Sequence, residues 1–145
     1  MLSFRPATDE DWPIAWEIQR AAFLDLVTQT SGGWTDAQVQ KCRDAWNPDC
    51  TRMLLYHDEV VGWLRLEHRL DHDWLDLVVL HPARQGAGLG TVVLQRLLAE
   101  AQEHGRRVEL SVYKINRARQ LYLRLGFIEY PRDEVRVRMV WEGQP

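Results

Sequence analysis

Val79-Leu80-His81-Pro82-Ala83-Arg84-Gln85-Gly86-Ala87-Gly88-Leu89-Gly90-Thr91 carries the chain from an apolar stretch, through a glycine-rich turn, into an amphipathic one. The residues before it, Trp74–Leu80, are nearly continuously apolar (Leu75, Leu77, Val78, Val79, Leu80), which reads as a strand buried on both faces. Those after it set Leu89, Val93, Leu97 and Ala101 on one helical face, ended by Gly105. Val108, Leu110 and Val112 then alternate with Glu109 and Ser111, giving a further strand. Trp74–Val112 is therefore a βαβ unit with parallel strands. A turn of this kind presents unpaired backbone N–H groups and the positive end of the helix dipole, a combination that holds phosphate.

Working outward, Met1–Ala7 reads as a short edge strand that ends around Pro6. Thr8 or Asp9 caps a helix whose apolar positions Trp12, Ile14, Ala15, Ile18, Ala22 and Phe23 recur at helical steps, and Ser31-Gly32-Gly33 breaks it. A second helix starts at Thr35, carries Val39, Cys42 and Trp46 on one stripe, and stops before Pro48. Met53–Tyr56 and Val60–Leu66 flank His57-Asp58-Glu59 as a hairpin. Downstream, Asn116 caps a short helix with Ala118, Leu121, Tyr122 and Leu125 on its inner face and Gly126 at its end. The tail alternates Val135, Val137, Met139 and Trp141 with Arg136 and Arg138. The predicted order is β-α-α-β-β-β-α-β-α-β-β: one α/β domain over residues 1–145, built around a mixed sheet.

Composition narrows the function classes. A net charge of −3 and a pI of 5.9 argue against a general nucleic-acid binder, which needs a basic face. Arg84, Arg106, Arg107, Arg117, Arg119 and Arg124 enrich the second half in cations, which suits an anionic ligand as well as solvated helix faces. No stretch approaches the roughly 18 apolar residues of a membrane span. Met1-Leu2-Ser3-Phe4-Arg5-Pro6 lacks the basic-then-apolar pattern of a secretion signal, so the expected compartment is cytoplasmic. Cys42 and Cys50 lack the spacing of a metal site or a disulfide framework, and Asp71-His72-Asp73 reads as a polar hairpin turn, so no metal is expected.

The turn alone leaves three phosphate ligand classes open, and spacing removes two. A P-loop needs lysine before Thr91, where Gly90 stands. A dinucleotide fingerprint needs GxGxxG after a first strand, with an acidic residue closing the next strand. Here the pattern is GxGxG, late in the chain, and Glu109 falls inside its strand.

The stretch from Val79 to Gly90 resembles the acetyl-CoA motif of the GCN5-related N-acetyltransferase (GNAT) superfamily, Arg/Gln-x-x-Gly-x-Gly/Ala after a strand. Asn116-Arg117-Ala118-Arg119-Gln120-Leu121-Tyr122-Leu123-Arg124-Leu125-Gly126-Phe127 is similar to that family's N-x-x-A-x-x-L-Y-x-x-x-G-F segment. The two motifs stand in the family's order, separated by one helix and one strand. The resemblance is tightest over residues 74–127 and loose over 1–50.

It implies a mixed sheet splayed between the fourth and fifth strands, and transfer of an acetyl group from acetyl-CoA to a primary amine by direct attack in a ternary complex. Backbone groups of Val78 and Leu80 would pair with the acetyl carbonyl and pantetheine amides. The N–H groups from Gln85 through Gly86, Ala87, Gly88, Leu89 and Gly90 to Thr91 would hold the pyrophosphate. Asn116 would contact the pantetheine arm, and Tyr122 would protonate the departing CoA thiolate. The physical logic holds together: an oriented N–H stabilises the oxyanion, a phenol protonates the thiolate, and no covalent intermediate is needed.

The general base is less legible. The position matching a glutamate of many relatives is Ser111, which cannot serve. Glu109, two residues earlier on the same strand face, is the first candidate, followed by Glu67 and Asp76, with a water-mediated route as the alternative. Trp34 reads equally as a wall of the acceptor pocket or a loop anchor. Small amine, amino acid, peptide N-terminus and lysine stay open as acceptors, and a homodimer is a reasonable expectation from the resemblance. Two other readings keep the fold: a non-catalytic acyl-CoA sensor, and a transferase using another acyl-CoA.

Overall fold

The computed structural model describes residues 1–144. Its elements are β1 (Leu2–Pro6), α1 (Trp12–Ala22), α2 (Leu24–Ser31), α3 (Asp36–Ala45), β2 (Thr51–Tyr56), β3 (Glu59–His68), β4 (His72–Leu80), α4 (Leu89–Glu103), β5 (Arg107–Tyr113), α5 (Ala118–Arg124), β6 (Ile128–Pro131) and β7 (Arg136–Trp141). The strands run in spatial order β1-β2-β3-β4-β5-β7-β6. β4 and β5 pair in parallel from His72↔Arg107 to Trp74↔Glu109, so the expected βαβ unit is present. That ladder is short for strands of nine and seven residues, as the expected splay requires. The chain groups into two compact units: Met1–Arg65 with Leu77–Ala87, and Leu66–Asp76 with the residues from Gly88 onward.

In the first unit the helices pack on a tryptophan-rich core. Trp63 is fully buried and donates its indole N–H to the Ala15 carbonyl at 3.0 Å, tying β3 to α1. Ala7, Ile18, Trp46, Met53 and Val79 complete the cluster. The single long helix expected from Thr8 to Ser31 is instead two. The chain leaves helical geometry at Phe23 (φ −102°, ψ 9°), whose ring packs against the core. No glycine or proline marks that break, so tertiary packing makes it. The chain finally stops at Gly32 in the left-handed conformation (φ 77°). Thr35 caps α3 as expected, accepting from the Gln38 N–H at 3.2 Å.

The β2–β3 hairpin turns on His57 and Asp58 alone, both at positive φ (52° and 66°), the signature of a two-residue primed turn. Glu59 is already in β3. Across the next pair, Gly62 lies so close to β4 that a Cβ there would sit 2.2 Å from the Val79 carbonyl oxygen. Gly62→Ala must push β3 and β4 apart. A loss of about 2 kcal/mol or more in urea unfolding is expected, and unchanged stability would contradict the close approach.

In the second unit, α4 buries Leu89, Val93, Leu94, Leu97, Leu98 and Ala101. The registers put Val108, Leu110 and Val112 of β5 beside Trp141, Met139 and Val137 of β7, which makes one sheet face apolar and gives that stripe a surface to cover. Asp71-His72-Asp73 is only partly a turn. His72 and Asp73 belong to β4, and Asp73 is buried, accepting from His68 Nδ1 and Arg106 Nε at 2.7 Å each. Burial pushes its carboxyl up, but His68 and Arg106 outweigh this and hold it below the ordinary aspartate value.

Candidate active site

The glycine-rich turn has the backbone of an anion cradle. Gly86 (φ 80°) and Gly88 (φ 83°) are left-handed, and a Cβ at either would meet nothing within 4 Å. The dihedral demands glycine, and the space a side chain would enter is open. Gly88 is the N-cap of α4, whose first turn carries no acidic residue. The N–H groups of Leu89, Gly90 and Thr91 are first-turn donors without intrahelical acceptors. On the other side of the turn, His81 Nδ1 accepts from the Ala83 N–H at 3.0 Å, so His81 shapes the turn. The Gln85 side chain donates to the Leu80 carbonyl at 3.0 Å and its backbone N–H to the Pro82 carbonyl at 3.2 Å, so both donors expected at Gln85 for the pyrophosphate are taken by the turn itself. Val78 and Leu80 are half-buried at the end of β4, and the close approach at Gly62 fixes the peptide between them.

Tyr122 lies on the inner face of α5, buried, with its ring 5.4 Å from Phe127 in an edge-to-face contact. Burial pushes the phenol up to about 12. It therefore stays protonated throughout the neutral range, as an acid must. Asn116 sits one residue outside the expected cap. Its Oδ1 accepts from the Ala118 N–H at 2.9 Å while Arg117 occupies the N-cap position. The oxygen is taken by the helix start, and the amide NH2 carries the side chain's two donors.

Glu109 is fully buried and ionised. Arg107 Nε donates to Oε2 at 2.6 Å, Arg138 donates to Oε1, and His72 Nδ1 stands 3.8 Å away. Burial raises this carboxyl, but the two guanidiniums outweigh it and hold the group below its ordinary value. Glu67 is half-buried and accepts from Arg69 at 3.0 Å; Asp76 is exposed and accepts from the Trp74 indole at 3.3 Å. Trp34 donates its indole N–H to the Arg20 carbonyl at 3.0 Å and meets Trp16 edge-on at 5.0 Å, which is the loop-anchor geometry. Among the described residues no cluster of three or more His, Cys, Asp or Glu is placed to hold a metal ion. No helix there is long and apolar enough to cross a membrane.

Sequence reasoning did not single out Gly62, Arg132, Arg136 or Arg138. An isolated strand glycine such as Gly62 commonly marks a close backbone approach, and that is the signal that could have found it. Arg136 and Arg138 alternate with apolar residues of the tail, and Arg132 lies in the turn between β6 and β7, where nothing in the local sequence marks it.

The family described as Acetyltransferase (GNAT) family matches residues 12–127. The [ribosomal protein bS18]-alanine N-acetyltransferase of Haemophilus influenzae is 31% identical over 93 residues, covering 63% of this chain and 60% of that enzyme. Among solved structures, PaiA N-acetyltransferase from Thermoplasma acidophilum in complex with coenzyme A superposes with a TM-score of 0.79 at 14% identity, covering 98% of this chain and 99% of that one. The Escherichia coli ribosomal-protein-S18-alanine N-acetyltransferase gives a TM-score of 0.72 at 22% identity, covering 100% and 96%. At these identities the structural likeness establishes the fold.

Proposed function

The chain belongs to the acetyltransferase (GNAT) family, and from that premise we propose that it moves an acetyl group from acetyl-CoA to a primary amine by direct attack within a ternary complex. The observation that carries this reading is the turn: two left-handed glycines with open space above them, leading into a helix whose first turn has free N–H groups and no acid. Those donors, from Gly86 to Thr91, fit a pyrophosphate. Backbone groups of Val78 and Leu80 orient the thioester and its pantetheine arm, and the Asn116 amide donates to that arm. Tyr122 delivers the proton that the CoA sulfur needs when the thioester C–S bond breaks. The amine's own proton is assigned to water instead of Glu109, because both carboxylate oxygens of Glu109 already accept from guanidiniums. Peptide N-termini head the acceptor classes, since the Haemophilus relative is named as a [ribosomal protein bS18]-alanine N-acetyltransferase.

The test is thermal stabilisation by coenzyme A. The native chain should gain about 2.7 kcal/mol at a hundredfold excess over the dissociation constant. Gly88→Phe should abolish that gain. Gly105→Phe, which imposes the same left-handed strain (φ 66°) at the far end of α4, should keep it. A preserved gain in Gly88→Phe would overturn the pyrophosphate assignment. An amine panel followed by thiol release completes the test: coenzyme A binding without turnover of any amine would leave a CoA sensor on this fold.

A further inference from the structure

We propose that the acceptor is a peptide with an acidic residue close behind its N-terminus, and that Arg132 and Arg136 read that carboxylate. The inference rests on the acetyl-transfer reading and concerns the second substrate alone.

The second unit's sheet has two unlike faces. On the apolar one, Val108, Leu110 and Val112 lie with Val137 and Met139, and Glu129 of β6 accepts from Arg119 of α5 at 3.0 Å. That face takes the helices, so α4 and α5, the elements assigned to acetyl-CoA, sit on it. The same registers put Arg107, Glu109, Ser111 and Tyr113 of β5 on the opposite face with Arg136 and Arg138 of β7. On that polar side Arg132 is exposed and Ser111, Tyr113 and Arg136 are half-buried, within reach of a second substrate.

Three arginines on this side are held by alternate residues of β5. Arg138 donates to Glu109, Arg132 donates to Ser111 Oγ, and Arg136 donates to Tyr113 Oη at 2.9 Å with its guanidinium 4.6 Å over that ring. Arg5, Arg106 and Arg119 have carboxylate partners in Asp11, Asp73 and Glu129. Arg132 and Arg136 have hydroxyl partners, which align a guanidinium without neutralising it. Asp133 stands near both: its Oδ1 accepts from the backbone N–H groups of Val135 at 2.9 Å and Arg136 at 2.7 Å, and its charge attracts both guanidiniums without any side-chain hydrogen bond to either, so their forks stay open. Each guanidinium has five donors in a planar fork, and the natural occupant of the remainder is a carboxylate. Arg136 and Arg138, two apart on a strand, project about 7 Å from each other, the repeat of alternate side chains in an extended peptide. A peptide therefore fits this face better than a compact metabolite.

The experiment measures acetylation of short peptides that share one N-terminal residue and carry Asp, Asn or Lys at the second or the fourth position. The native chain should prefer Asp over Asn by about tenfold in kcat/KM at one of those positions, as expected for a charge-assisted hydrogen bond, with Lys lowest. Arg136→Met and Arg132→Met should each bring the Asp/Asn ratio close to one while coenzyme A stabilisation is kept. Equal use of all three peptides, a preference for Lys, or a ratio that survives both substitutions overturns the proposal and leaves acetyl transfer standing. Failure to acetylate any peptide or amine, with coenzyme A still bound, overturns both.

Discussion

Tyr122→Phe is expected to lower turnover by about a hundred- to ten-thousand-fold, the usual yield of a positioned general acid, with coenzyme A affinity nearly unchanged. Phenylalanine keeps the ring that packs edge-on against Phe127, so the helix and its surroundings should survive the change. What disappears is a single O–H. Its proton is held tightly: burial raises the phenol to about 12. On the acetyl-transfer reading, the native chain should therefore show no alkaline loss of activity from this group until pH rises toward that value. The same shift has a stability consequence with a definite sign. The folded state keeps the proton that the unfolded tyrosine releases near 10, so the contribution is complete below pH 10 and lost as pH climbs from there through 12. Steady-state rates and a coenzyme A melting shift on the same preparations check the claim. Unchanged turnover would remove the acid role, while lost coenzyme A binding would place Tyr122 in the binding site instead.

How much of this was legible beforehand follows from the range of the interactions involved. The glycine-rich turn was readable because its dihedrals and helix entry are local properties of seven residues. The β2–β3 hairpin was readable for the same reason, although only the structure shows His57 and Asp58 alone at positive φ. The break at Phe23 was hidden, because nothing in the local sequence forbids the helix from continuing and the cause is a ring drawn into a core assembled from distant strands. Asp73 was misread as a turn residue since its partners, His68 and Arg106, lie five and thirty-three positions away. Glu109 illustrates the limit most clearly. Its place on the strand face was correctly inferred from alternation, yet its chemistry is set by Arg107 and Arg138, and only the β5–β7 register brings Arg138 across.

That register makes Glu109 the site of the second large effect. Glu109→Ala deletes a buried anion to which Arg107 and Arg138 both donate. Truncating one member of a fully buried pair costs about 3–5 kcal/mol, but the Arg107 and Arg138 side chains are 35% and 51% exposed and regain water. A loss of about 2–3 kcal/mol in urea unfolding is therefore expected. Glu109→Gln separates this role from catalysis. A general base would lose about a hundredfold or more in rate with that substitution, with stability little altered, whereas an ion-pair anchor loses stability while the folded fraction keeps turning over. The pH dependence has the opposite sign to that of Tyr122. The folded carboxyl lies below its ordinary value of 4.5, so its contribution is complete above that value and disappears as pH falls through the lower folded one. In Glu109→Gln this part of the acid destabilisation should vanish. A rate collapse in Glu109→Gln at native stability would restore Glu109 as the base and return the two arginines to the task of tuning it.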